Sequence, residues 1–188
     1  MNACEPRRQG AGTAILMAVV GALTAVTLWG LHGERLFAVN VVTAIVGWAL
    51  LPLLARRPVA TTIMLNVLAA LSPAATPAAT VGTLQVAQRR PLGTAVRVGL
   101  VGIAAHAVRG LLQPTPALPY GWWLVLVVIA HAALVAWGAL TQARAALIGT
   151  LRERADRAEA EQGRRVAEAR ALERHRIARE MHDVLAHR

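Results

Sequence analysis

The sequence predicts an all-α protein: a polytopic membrane helix bundle of about six spans that continues into a long cytoplasmic coiled-coil helix. Two observations carry that expectation. The 188 residues are 56% apolar and 16% charged, with a mean hydropathy of +0.48, where soluble domains average roughly 45–50% apolar and about 25% charged. The charge is also unevenly placed: residues 1–140 hold nine Arg and two acidic residues, and residues 141–188 hold eleven Arg and eight acidic residues. The first region has the composition of helices in lipid, and the second that of a charged helical tail in water.

A spanning helix needs about 20 apolar residues at about 1.5 Å rise each. Residues 1–12 form a short cytoplasmic N-terminus containing Arg7 and Arg8, and the first candidate span, 13–31, follows. That run is long for the apolar core of a signal peptide and further spans follow it, so it reads as a helix retained in the mature protein. The second span is 36–55. The next apolar stretch, 59–88, is interrupted by Ser72-Pro73 and Pro77, which break the hydrogen-bond ladder and restrict the residues before them. Residues 91–113 and 121–140 complete a membrane sensor domain over 13–140.

Orientation decides the count. Arg7/Arg8, Arg56/Arg57, Arg89/Arg90 and the tail beginning at Arg144 belong in the cytoplasm by the positive-inside rule. The connections 32–35, 72–77 and 113–121 then lie outside and hold a single arginine, Arg35. All four basic sites share one side only if 59–88 crosses twice, which gives six helices. The third and fourth are short, able to thin the bilayer locally or to pack against neighbours. The longest outer connection is nine residues, so any signal is expected to be sensed in or at the membrane.

Trp29, Tyr120, Trp122 and Trp123 fall at the expected outer interface and Trp137 near the inner one. Trp48 fits such a position less well, and a place facing the bundle is open to it. Arg97 and Arg109 lie near opposite ends of the fifth span, from which they can snorkel to the headgroups. Asn40, Asn66, Gln85, His106 and His131 are polar residues within spans and are functional candidates on that ground. A helix–helix hydrogen bond is the commoner use of each.

Other classes fit less well. The chain has no Lys, so its formal charge of +10 is carried by arginine, and the arginines fall in pairs between apolar runs. That is the pattern of cytoplasmic anchors, not of a nucleic-acid-binding face. Cys4 is the only cysteine, which excludes an intramolecular disulfide and a cysteine metal cluster.

Residues 141–172 read as a signalling coiled-coil helix. Leu147, Leu151, Ala155, Ala158, Gln162, Val166 and Ala169 recur at steps of three and four and so share one stripe. Alanines and a glutamine make a weak seam, and Gly163 costs about 1 kcal/mol relative to Ala. Such a helix pairs only when tethered, and two nearly isoenergetic registers suit a signal transmitter. A plain solvated helix is the alternative.

Within residues 173–188, Ile177, Met181, Val184 and the aliphatic part of Arg188 follow a 4-3-4 spacing, a seam for a helical bundle. His182 lies one step, about 100°, off that seam, held by the bundle yet reachable from solvent. Asp183 follows directly, His187 lies four residues later on the same face, and Arg179 pairs with Asp183 at i,i+4.

The run Glu173-Arg174-His175-Arg176-Ile177-Ala178-Arg179-Glu180-Met181-His182-Asp183-Val184-Leu185-Ala186-His187 resembles the H-box of the sensor histidine kinases of two-component systems. The similarity is to the subgroup containing bacterial nitrate sensors and the membrane-thickness thermosensor. It rests on the E-R-x-R-I-A-R-E-[LM]-H-D lead-in followed in register by D-x-x-x-H. The apolar region before it, with its Arg-Arg-Pro loops, is similar to such sensors in architecture only.

The resemblance implies that His182 is the phosphoacceptor, attacking the γ-phosphate of ATP through Nε2. Asp183 then accepts the Nδ1 proton and fixes the tautomer. The phosphoryl group passes to an aspartate of a response regulator with DNA-binding output. Asp183 and His187 are linked to dephosphorylation of that regulator, with His187 orienting a water. The family further implies a homodimer in the inner (cytoplasmic) membrane, multi-pass, in contact with lipid and with its C-terminus cytoplasmic. ATP with Mg2+ is the cofactor of the full-length kinase, and no direct nucleic-acid contact is expected.

The sequence departs from the family where it ends at Arg188. It contains no second hairpin helix, no ATP-lid glycines and no Asn-bearing box, so the phosphoacceptor domain over 173–188 is expected to be incomplete. The chain is then a fragment or a truncated product that does not itself bind ATP. A zinc site at His175, His182 and His187 is disfavoured, because His182 and His187 sit about 140° apart around a helix. Two rival functions remain: a transporter or channel-like membrane protein with a coiled-coil tail, suggested by the Pro73/Pro77 break and His106, and a truncated dominant-negative regulator of a kinase.

Overall fold

A computed structural model of the chain describes residues 5–113 and 118–186. Every regular element among them is helical: α1 (Glu5–Gly30), α2 (Phe37–Leu50), α3 (Pro58–Leu71), α4 (Thr76–Arg89), α5 (Leu92–Leu112) and α6 (Tyr120–Ala186). Short 3-10 turns occupy Leu51–Ala55 after α2 and Pro73–Ala75 between α3 and α4.

The prolines set most of the boundaries. Pro52 opens the 3-10 turn that ends α2, Pro58 occupies the first turn of α3, and Pro77 that of α4. At these positions the missing N–H removes no intrahelical bond. Ser72 is extended, with φ −149° and ψ 135°, as expected of a residue before proline. Its Oγ accepts from Ala74 N at 3.1 Å and donates to Asn40 Oδ1 at 2.7 Å, closing the α3–α4 hairpin and tying it to α2.

The chain divides into two compact units, Met1–Gln142 and Ala143–Arg188. In the first, α3 is central and packs on α2, α4 and α5. The core joins Val20 of α1, Leu51 and Leu54 of the first turn, Leu65 and Ala69 of α3, and Ala75, Ala78 and Ala79 at the start of α4. Elsewhere in this unit glycine and threonine line the contacts. A Cβ on Gly82 would lie 2.8 Å from Thr62 Oγ1, one on Gly99 3.2 Å from Val135 Cγ2, and one on Gly138 2.6 Å from the Ala87 carbonyl carbon. The helices therefore approach backbone to side chain, the packing used where small residues replace a large apolar core. Large apolar side chains face outward instead: Val26 is 71% exposed, Ile45 62% and Leu111 66%.

Several buried hydroxyls are satisfied within their own helix, with Thr62, Thr83 and Thr43 donating to carbonyls three or four residues earlier.

The second unit contains the C-terminal part of α6. Leu147, Leu151, Val166, Leu172, Ile177 and Met181 are all exposed there. Among its described residues Glu153–Arg157, Glu161–Arg165 and Glu173–Arg176 form surface ion pairs at i,i+4 or i,i+3. Such pairs support an isolated helix by only a few tenths of a kcal/mol each, so about 0.3–0.5.

The apolar region holds the expected six helices, but six membrane spans do not follow from them. Three described segments are long and apolar enough to cross a membrane: Phe37–Ala55, Leu92–Leu112 and a stretch of Tyr120–Ile177. The apolar helix Pro58–Leu71 is shorter. α3 and α4 have 14 residues each, or about 21 Å of helix against about 30 Å of hydrocarbon. The N-terminal helix also starts at Glu5, before the apolar run, because Pro6 sits in a first turn that tolerates it.

Candidate functional site

The polar candidates within the apolar helices do not behave alike. Asn40 makes the expected bond between helices, accepting from Ser72 Oγ. Gln85 keeps a buried Oε1 with no hydrogen-bond partner among the described residues. Asn66, His106 and His131 meet around one glycine. His106 of α5 and His131 of α6 are buried, with ring centroids 5.3 Å apart in an edge-on arrangement. A Cβ on Gly102 would lie 2.5 Å from His131 Nε2 and 3.2 Å from Asn66 Oδ1. Gly102 thus brings α3, α5 and α6 together at a point where alanine does not fit.

Each ring is oriented by its own helix. His106 Nδ1 lies 2.9 Å from Gly102 O, and His131 Nδ1 2.9 Å from Val127 O. A carbonyl only accepts, so Nδ1 carries the proton in both rings and Nε2 of a neutral ring is left as an acceptor. Asn66 is fully buried, and neither its Oδ1 nor its Nδ2 has a hydrogen-bond partner among the described residues. The cluster therefore offers two imidazole acceptors and one carboxamide in a buried setting. Among the described residues no group of three or more His, Cys, Asp or Glu could hold a metal ion.

Arg109 departs from expectation. It does not snorkel: it is 9% exposed, donates from Nη1 to Thr76 Oγ1 at 3.2 Å, and lies with Cζ 5.3 Å from the centroid of the Trp123 ring. Trp123 is correspondingly drawn inward, while its neighbour Trp122 is exposed. Arg97 is exposed and folds back on Gly93 O. Trp48 does turn to a neighbouring helix, donating from Nε1 to Met17 O at 3.2 Å across the space left by Gly21.

Two residues that sequence reasoning did not single out complete the arrangement: Thr76 and Gln142. Gln142 Nε2 donates to Ala87 O at 2.6 Å and Arg90 O at 2.8 Å. It thereby fills carbonyls that the end of α4 would leave unpaired. No local signal marks these residues, because each acts on a partner far away in sequence.

The second candidate site lies in α6. Residues 173–186 are helical, and Ile177 and Met181 of the proposed seam are exposed. The side chains of His182 and Asp183, and His187 as a whole, lie outside the described residues.

No curated protein and no solved structure matches the chain. One family model, described as Domain of unknown function (DUF8318), matches residues 12–147. The match takes in the helical bundle and stops before the Glu173–His187 run. Because it covers well over half of the sequence, the chain belongs to the DUF8318 family.

Proposed function

We infer that the chain is the membrane sensor and phosphoacceptor portion of a homodimeric histidine kinase. The observation that carries this reading is the Glu173–His187 box, most of it within the same helix, α6, that begins in the apolar bundle. His182 accepts the γ-phosphoryl group of ATP from a catalytic domain, Asp183 takes the Nδ1 proton, and a response-regulator aspartate receives the group. His187 orients a water that hydrolyses the regulator's aspartyl phosphate, releasing inorganic phosphate. Outward-facing Val, Ile, Leu and Trp around an interior rich in Ala, Gly and Thr support a place in the cytoplasmic membrane. The exposed apolar residues from Leu147 to Met181 support pairing with a second copy of α6.

The test is phosphorylation of the membrane-reconstituted chain by ATP, Mg2+ and a catalytic domain of the same subgroup supplied in trans. Acid-labile, alkali-stable label on the wild type and none on His182→Gln is the expected result. Label retained by His182→Gln would sink the assignment.

The finer topology, with α1 to α6 all in the membrane and the C-terminus cytoplasmic, follows from keeping Arg56/Arg57 and Arg89/Arg90 on one side. A buried α3–α4 hairpin shielded by its neighbours need not match the full bilayer thickness. Single cysteines placed at Arg57 and Arg89 in a Cys4→Ser background should both be labelled from the cytoplasmic side only. Labelling of either from outside would refute it.

A second reading, a transporter or channel-like bundle, draws on Asn66, His106 and His131 meeting inside the helices. It predicts solute or proton flux in vesicles that is lost in Asn66→Leu. A truncated regulator that dimerises with a complete kinase is the third; it predicts cross-linked mixed dimers with such a kinase.

A further inference from the structure

Arg109 is a buried cation with no anion beside it. Its Nη1 donates to a hydroxyl, Thr76 Oγ1, at 3.2 Å, and its other neighbour is the Trp123 ring. A guanidinium has five N–H donors, and this is its single hydrogen bond among the described residues. The ring face offsets part of the cost of burying the charge, but it is not a counter-ion. The sequence supplies none nearby either: from Arg35 to Arg152 there is no acidic residue. The ion pairs of the described residues all lie between Glu153 and Arg176.

The groups around Arg109 are also donors. Trp123 Nε1 is buried with no hydrogen-bond acceptor among the described residues. The indole reaches this place because residue 110 is glycine: a Cβ there would lie 2.9 Å from Trp123 Nε1 and Cδ1 and 3.1 Å from Tyr120 Cε2. Tyr120 Oη donates to Ala107 O at 3.2 Å, fixing the start of α6 against α5. Thr76 Oγ1 accepts from Arg109 and so keeps its own proton free to donate. A positive charge, an indole and a hydroxyl thus lie together where α4 begins and α5 ends, Arg109 bonding Thr76 and lying against the Trp123 ring. Donors without acceptors, around a desolvated arginine, are the chemistry of an oxyanion site.

We propose that Arg109, Trp123 and Thr76 form a binding site for a phosphate oxyanion, either the headgroup phosphate of an anionic lipid or a free phosphate. Arg109 supplies the charge and a planar pair of N–H groups, and Trp123 Nε1 and Thr76 Oγ1 supply the neutral donors. His106 sits three residues before Arg109 on α5 and packs edge-on against His131 of the His131–Asn66 cluster. The lipid form rests on the membrane reading above, and the oxyanion chemistry does not.

The test uses the full chain in a maltoside detergent, which carries no phosphate. Its unfolding midpoint is followed against inorganic phosphate and, separately, against phosphatidylglycerol in mixed micelles, with diacylglycerol as the lipid control. One ligand should raise the midpoint by several degrees at saturation, and which one does so identifies the source. Arg109→Gln should abolish the shift. Trp123→Phe keeps an aromatic face but removes the indole N–H along with the fused five-membered ring, and should weaken the apparent affinity about tenfold; it carries the test if Arg109→Gln does not fold. A wild type that responds to neither ligand, or a Trp123→Phe chain that responds as the wild type does, overturns the proposal. Solubility of the chain without detergent would count against the membrane reading alone and leave the phosphate titration to decide the site.

Discussion

The bundle and the tail expose apolar surface in two different ways. In the first unit a small core of Val20, Leu51, Leu54 and Leu65 is extended by small or polar inward side chains, such as Ala69, Ala78, Thr62 and Asn66, while Val26, Ile45 and Leu111 point outward. In the second unit Leu147, Leu151 and Val166 are exposed on a single helix whose other positions carry Arg and Glu. The first pattern surrounds a set of helices and asks for an apolar solvent. The second is a stripe on one helix and asks for one more helix. Exposed hydrophobicity alone therefore does not say what covers it, and its distribution around the helices does.

That contrast can be tested at the glycines. Gly138→Val places a branched side chain against the Ala87 backbone, which cannot yield. It should cost about 2–3 kcal/mol of bundle stability, as overpacking does. Gly149→Val in the tail meets nothing within 4 Å and should leave the unfolding midpoint in detergent unchanged. Equal losses at both positions would break the distinction between a tightly packed bundle and an unpacked tail.

A smaller effect is expected at Asn66. Replacing a buried carboxamide that has no protein partner with a similarly sized apolar side chain should raise bundle stability by about 1–2 kcal/mol. If Asn66→Leu lowers the unfolding midpoint instead, the amide is in use, and the cluster with His106 and His131 is a working site rather than a packing compromise. The smallest effect belongs to the tail. Gly163→Ala recovers about 1 kcal/mol of helix propensity, so amide exchange across the neighbouring turns should slow about fivefold while the bundle amides stay as they were. Unchanged exchange there would mean that a partner helix, not local propensity, holds the tail.

Much of the helix layout was legible along the chain. Ser72-Pro73 and Pro77 mark the break between α3 and α4, because a missing N–H and a restricted preceding residue act within a turn of where they occur, whereas Pro52 ends α2 inside the stretch 36–55 that reads as one span. The number of helices able to cross a membrane was less legible, since α3 is apolar yet, like α4, only 14 residues long. The polar candidates were visible as residue types in apolar runs, but their roles were not. Asn40 meets Ser72, Arg109 meets Thr76 and Gln142 meets Ala87, at separations of 32, 33 and 55 residues. Snorkelling was a fair expectation for Arg109 from its place near a helix end. It failed because Thr76 and Trp123 come from other helices.

The sequence by itself determined the helical class, the division between an apolar region and a charged tail, and the run around His182, because periodicity, proline and composition act locally. The tertiary structure alone decided that Gly102 gathers Asn66 and His131 beside His106, that Gly138 lets α6 lie on α4, and that Arg109 is enclosed. Those outcomes depend on how closely two helices approach, a distance set by side chains contributed from far apart in the chain.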